Sequence, residues 1–146
     1  MVNRFSFFMP TRIEFGPGSI KKLADTPYLP GRKALVVIGA SGAMRTTGHL
    51  DRTLKYLRQN KVSCVVYDRI QPNPLSEHVE EAAGIAKRKN CDFVLGLGGG
   101  STIDSAKSIA VMAKNPGKYW DYVSGGTGKG KEPKRGALPI VAVPPE

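Results

Sequence analysis

The sequence predicts an α/β fold, a Rossmann-like parallel sheet with helical crossovers, and three observations carry that expectation. Four short continuous apolar runs, at residues 34–38, 62–67, 93–97 and 139–143, have the form of strands buried on both faces. The segments between successive runs place apolar residues every three or four positions, as helices with one buried face require. The third run passes directly into three glycines and another helical period, the junction by which βαβ units receive phosphate.

The first thirty residues stand apart from this alternation. Two short extended candidates, 5–8 and 12–15, precede Gly16-Pro17-Gly18 and a brief helix around 19–24, and are expected to form an added hairpin or edge. After the first strand, Leu50, Leu54 and Leu57 mark a helix ending near Asn60. After the second, Leu75, Val79, Ala82 and Ala86 mark another, with Ser76 as N-cap and Glu77 well placed in the first turn. Ile103, Ala106, Ile109, Ala110 and Ala113 form the third stripe. The stretch 124–136, SGGTGKGKEPKRG, has no periodicity and is expected to be a solvated, mobile loop before the last strand. No internal repeat is visible.

A chain of 146 residues accommodates one ordinary core, so 1–146 is expected to be a single domain. Apolar residues at 40% and charged residues at 23% exclude a disordered chain. Twenty-two Lys plus Arg against twelve Asp plus Glu give +10, which favours an anionic partner. Nucleic acid is a poor candidate, because the basic residues are scattered and no aromatic-rich strand platform or recognition motif accompanies them. Cys64 and Cys91 lie within apolar stretches and read as small buried hydrophobes in a reducing compartment. The two histidines, His49 and His78, are far apart in sequence, and no CxxC occurs, so no metal site is expected. Pro10 ends the apolar start too early for a secretion signal or a membrane span, which makes a soluble cytoplasmic protein the expectation.

The chemistry concentrates in the segment LGLGGGSTIDSAK at 95–107. Gly98, Gly99 and Gly100 lack a Cβ and let backbone N–H groups approach a ligand, while the helix that follows presents unpaired donors with partial positive charge. Ser101 and Asp104 have a second reading, as N-cap and third helical residue of a capping-box variant, and for each of them both readings stand. Three glycines exceed what a turn needs, so the loop as a whole is read as a phosphate site. Two other glycine motifs fail. The stretch GASGAM at 39–44 has the wrong spacing for a GxGxxG fingerprint. The GxxxxGK at 125–131 is followed by Glu132 where a P-loop needs Ser or Thr, and no strand precedes it.

These residues support a resemblance. The chain resembles the amino-terminal domain of the iron-containing (group III) alcohol dehydrogenases, whose GGGSxxDxAK signature occurs without mismatch at 98–107. Phe15-Gly16-Pro17-Gly18, Pro72-Asn73-Pro74 and the LPIVAVP at 138–144 follow the family in order and spacing, over nearly the whole chain. Dehydroquinate synthases and glycerol dehydrogenases share the fold and a related GGG segment. The resemblance implies the dehydroquinate synthase-like type of sheet. It also implies a nicotinamide dinucleotide whose pyrophosphate rests on Gly99, Gly100 and Ser101, with Asp104 in the adjoining polar network. Asn73 would lie near the adenosine side; its other reading is a turn residue stiffened by the flanking prolines.

Family members continue beyond the last strand into a helical domain carrying one Asp and three His iron ligands, whereas this sequence stops at Glu146. The resemblance therefore implies a chain that lacks the helical metal-binding domain and is not catalytically competent alone. The function expected is the NADP(H)-binding domain of an iron-dependent alcohol dehydrogenase. The alternatives are a non-catalytic dinucleotide- or phosphate-binding module, or a fragment of glycerol dehydrogenase or dehydroquinate synthase type. NADP is preferred over NAD on the end of the first strand. NAD-preferring relatives carry Asp where this chain has Gly39, Ser41 is placed to donate to a 2′-phosphate, and Arg45 is close enough to pair with it. In the competing reading Gly39 and Gly42 make a turn and Arg45 is a solvated charge. A homodimer through the apolar amino-terminal strand is the partner expectation beyond the dinucleotide; no membrane or nucleic-acid partner is expected.

Overall fold

A computed structural model describes residues 4–145. Its centre is a four-stranded, wholly parallel sheet of β1 (Lys33–Gly39), β2 (Ser63–Ile70), β3 (Phe93–Leu97) and β4 (Ile140–Val143) in the spatial order β2-β1-β3-β4. Residues 34–38 of β1 are wholly buried because both faces are covered, which is why that strand reads as an unbroken apolar run. Its side chains alternate between two cores. Leu35 and Val37 face the layer built by α3 (Ser76–Arg88) and α4 (Gly100–Met112), with Val79, Ala82, Ala106 and Ile109. Ala34, Val36 and Ile38 face α2 (His49–Gln59), with Leu50, Leu57 and the 3-10 helix at Ser19–Ala24.

The four expected strands and three expected helices are present, with β2 extended to Ile70 and one short helix, α1 (Ala43–Thr46), unforeseen after β1. Asn60 ends α2 and also stitches the chain together, its side-chain amide donating to the carbonyls of Leu23 (3.0 Å) and Thr26 (2.9 Å). Ser76 is not an N-cap. The Leu75 carbonyl already accepts from Val79 N–H, so α3 starts one residue sooner and Leu75 holds the cap position without a side-chain bond.

The amino-terminal strands are a second correction. Among the described residues neither 5–8 nor 12–15 is a strand. A strand needs a partner for its backbone, and the segment pairs with neither edge strand, β2 or β4. It is pinned instead by side chains: Arg12 stacks on the Tyr28 ring at 3.5 Å, and Glu14 pairs with Lys22, which holds its carboxyl below the usual range. Phe5, Phe8 and Phe15 stand almost fully exposed. The expected brief helix is present. Stretch 124–136 contains no helix or strand; Lys131 N–H donates to Asp121 O and Trp120 donates to Thr127, both at 2.8 Å.

The chain runs from β1 outward to β2, then crosses back to place β3 on the other side of β1. That reversal opens a crevice above the carboxyl ends of β1 and β3, the place where open parallel sheets bind ligands.

Candidate functional site

Two of the glycines around the β3–α4 junction have internal reasons. Gly98 adopts φ 151°, and a Cβ there would stand 2.8 Å from the Thr102 hydroxyl oxygen. A Cβ on Gly96 would stand 3.0 Å from that of Ala106, so this glycine lets α4 settle onto the sheet. Gly99 and Gly100 are different. A Cβ on either would meet nothing within 4 Å, so no part of the described chain demands their smallness. The space they leave open lies at the amino-terminal end of α4.

Above that space lies an uncapped helix. Gly99 is the N-cap of α4, with no side-chain cap bond and no acidic residue in the first turn. Ile103 N–H is the first in α4 with a backbone acceptor, Gly99 O at 3.0 Å. The N–H groups of Gly100, Ser101 and Thr102 have no acceptor among the described residues. Three free donors at the positive end of a 13-residue helix form an arrangement that suits an anion.

The capping reading of Ser101 and Asp104 fails because Gly99 holds the N-cap position, which makes Ser101 the second residue of α4 and puts Asp104 beyond the third, where a capping box needs its carboxylate. Ser101 donates its hydroxyl to Pro72 O (2.9 Å), fastening the Pro72-Asn73-Pro74 turn beside the glycines and bringing exposed Asn73 to the rim. Asp104 is exposed and pairs with Lys107 at 3.3 Å. Thr102, which sequence reasoning missed, is nearly buried beneath the turn. Its hydroxyl lies 3.7 Å from where a Gly39 Cβ would stand, so it joins the ends of β1 and β3. Its spacing from Ala106 and Ile109 is the signal that it faces the sheet.

At the β1 end, Ala40 N–H donates to Ile70 O at 2.7 Å. A Cβ on Gly39 would make only ordinary contacts, 3.6 Å to Ile70 O and 3.7 Å to Thr102, so the backbone tolerates a side chain there. The turn's need for glycine falls on Gly42, φ 78°. Ser41 Oγ accepts from Ala43 N–H at 3.4 Å, and Arg45 pairs with Asp68 of β2 at 2.8 Å. Arg45 is thus an ion-paired group, and the carboxylate absent between Lys33 and Asp51 arrives from the neighbouring strand.

A cleft of about 310 Å³ continues from this site between α3 and α4, lined in part by Leu75, Ser76, Val79, Ser101 and Ser105. Burial pushes the thiols of Cys64 and Cys91 up, away from reactive thiolate. Among the described residues no group of three or more His, Cys, Asp and Glu could hold a metal ion, and His49 and His78 sit on different helices. The residues present fit a dinucleotide phosphate and do not fit an iron centre. No described helix is long and apolar enough to cross a membrane.

Known proteins share this chain's sequence and fold over most of its length. The NADPH-dependent butanol dehydrogenase of Clostridium saccharobutylicum is 32% identical over 117 residues, 80% of this chain and 29% of that protein. The structure of NADH-dependent butanol dehydrogenase A from Thermotoga maritima superposes with a TM-score of 0.82 at 33% identity, covering 95% of this chain and 34% of its own. A variant of an archaeal halo-thermophilic Red Sea brine pool alcohol dehydrogenase superposes with a TM-score of 0.86 at 34% identity, covering 99% and 37%. The chain spans about a third of the length of the curated relatives it matches. Residues 10–145 match the iron-containing alcohol dehydrogenases as a family, and with the glycine junction, the parallel sheet and the crevice all in their places the chain belongs to that family.

Proposed function

We propose that this chain is the dinucleotide-binding portion of an alcohol dehydrogenase that moves hydride between an alcohol carbon and a nicotinamide, and that its crevice prefers NADP(H), with NAD(H) second. The observation that carries the reading is the pairing of three free α4 amides with two glycines, Gly99 and Gly100, whose missing side chains leave the approach open. A pyrophosphate accepts hydrogen bonds from those amides and complements the helix dipole. Ser101 holds the Asn73 turn against the same end of α4, and Asp104 supplies a polar edge. The dinucleotide, when bound, supplies the hydride donor or acceptor; this chain's residues bind and orient it.

Relatives named for NADH and for NADPH both occur, so the preference rests on this chain's own residues. Gly39 leaves room beside the adenosine ribose, and Ser41 and Arg45 stand on the following turn. The described residues contain no metal-ligating group of three, so metal-assisted turnover needs ligands from outside them. The exposed apolar segment around Phe5, Phe7 and Phe8 supports a homodimer in which backbone pairs with a second copy. Calorimetric titration of the 146-residue protein with NADP(H) and NAD(H) at matched ionic strength tests the cofactor reading. Saturable binding, tighter for NADP(H), supports it; absence of binding to either overturns it.

A further inference from the structure

Strand β2 does not end where its apolar run ends. Register with β1 is regular to Val37↔Tyr67, and the next pair is Gly39↔Ile70, so β1 advances two residues while β2 advances three. The extra residue is a bulge, a device that re-aims side chains beside sites. Its effect is visible in exposure: Tyr67 and Ile70 are buried, while Asp68 and Arg69 are both exposed, which strict alternation would forbid. Arg69 pairs with Glu81 on α3, and Asp68 pairs with Arg45 on α1, each at 2.8 Å. The Asp68–Arg45 pair is half-exposed on both sides, and Asp68 engages only the Nη2 group of the guanidinium. The remaining N–H groups of Arg45 have no acceptor among the described residues.

We propose that Asp68 is a specificity-determining residue, whose carboxylate competes with the adenosine 2′-phosphate for the Arg45 guanidinium and so sets the balance between NADP(H) and NAD(H). The inference rests on the reading that the adenosine end lies over Gly39. A guanidinium favours the phosphate, which it can grip bidentately. A carboxylate 2.8 Å from that guanidinium must be displaced or must share it, and its own charge opposes the phosphate dianion. Toward NAD(H) the same oxygen is an acceptor for a ribose hydroxyl, the role that acidic groups near the end of the second strand take in doubly wound folds. Arg45 pulls toward one cofactor and Asp68 toward the other. Because the pair is solvent-exposed, the competition is modest and salt-dependent.

Asp68→Asn removes the charge and keeps the shape and the hydrogen-bond acceptor. Titration of the full chain is expected to show NADP(H) dissociation constants about fivefold lower in this variant, with NAD(H) changed less than about twofold. The gain from Asp68→Asn should be smaller in an Arg45→Ala background than in the wild type, since the competition requires both partners and only the direct repulsion of the phosphate remains. Arg69→Ala, which breaks the other bulge ion pair, should leave the NADP(H)-to-NAD(H) ratio unchanged. Circular dichroism confirms that each variant is folded. If both dinucleotides bind and Asp68→Asn leaves their ratio unaltered, or shifts both equally, the role of Asp68 is overturned while the cofactor reading stands. If no variant binds either dinucleotide, both are overturned.

Discussion

Ser101 donates its hydroxyl hydrogen to the carbonyl of Pro72, 2.9 Å away, and thereby fastens the turn after β2 to the first turn of α4. The residue that sequence alone offers as a helix cap is instead a tie between two loops that border one crevice. Replacing it with Ala removes one exposed hydrogen bond and leaves the helix amides in place. We expect a stability loss under about 1 kcal/mol and a loss of cofactor affinity within about tenfold. Ser101→Glu places a carboxylate against a pyrophosphate and should abolish binding while the circular dichroism spectrum stays native, since acid is welcome in a first helical turn. Chemical denaturation and calorimetry on the two variants check this; equal affinities in both would remove the phosphate from this end of α4.

Gly98 and Gly100 stand two residues apart in the motif and should respond in opposite ways. Gly98→Ala forces a side chain into φ 151° and against the Thr102 hydroxyl, at 2.8 Å, and should cost about 2 kcal/mol or more. Gly100→Ala lies in open space within the first turn of α4 and should leave stability unchanged or slightly improved. Urea midpoints at constant m-value decide it. Similar losses at both positions would mean that Gly100, too, is demanded by the fold.

Cofactor choice should follow the end of β1. The Cβ of Gly39→Asp meets only ordinary contacts, so the backbone should accept the substitution, and it should turn the preference toward NAD(H), where a carboxylate accepts from the ribose hydroxyls and repels a 2′-phosphate. Arg45→Ala should remove much of the NADP(H) preference. Titrations of both cofactors at low and moderate salt separate these effects, because phosphate contacts weaken as ionic strength rises. A wild-type preference for NAD(H) would show that this turn does not receive the 2′-phosphate.

The purified 146-residue chain should show no alcohol dehydrogenase turnover with added ferrous iron or zinc, because the described residues assemble no group of three metal ligands. A metal-dependent rate that disappears on chelation would contradict this.

Burial and charge also predict an alkaline limit. Burial, with the Glu81 carboxylate nearby, pushes the Tyr67 phenol up to about 12 from an ordinary value near 10. The folded state thus favours the neutral phenol; its contribution is complete below pH 10 and is lost as pH rises from about 10 to about 12. Tyr67→Phe should flatten the fall in melting temperature over that window. A fall unchanged in the variant would assign it to other groups.

Much of the fold was legible because strands buried on both faces leave continuous apolar runs: residues 93–97 coincide with β3, and 34–38 with the buried part of β1. Residues 5–8 misled for the complementary reason. Phe5, Phe7 and Phe8 have strand-like composition, but strand formation depends on a partner, which local sequence does not reveal. Ser76 and Ser101 misled because a cap residue one position from the helix start looks the same in sequence as a first-turn residue. In the site, the glycine loop was readable from composition. The roles of Thr102 and Asp68 were not, since one depends on which face of α4 meets β1 and the other on a bulge in β2.

On the function proposed above, the open space over Gly99 and Gly100 receives a dinucleotide pyrophosphate held by the α4 amides. Calorimetric titration of the wild-type chain and Gly100→Val with NADPH, each verified as folded, tests it most directly. The expected result is saturable binding by the wild type and none by the variant, whose branched Cβ fills the approach. Undiminished NADPH affinity in a folded Gly100→Val protein would contradict it.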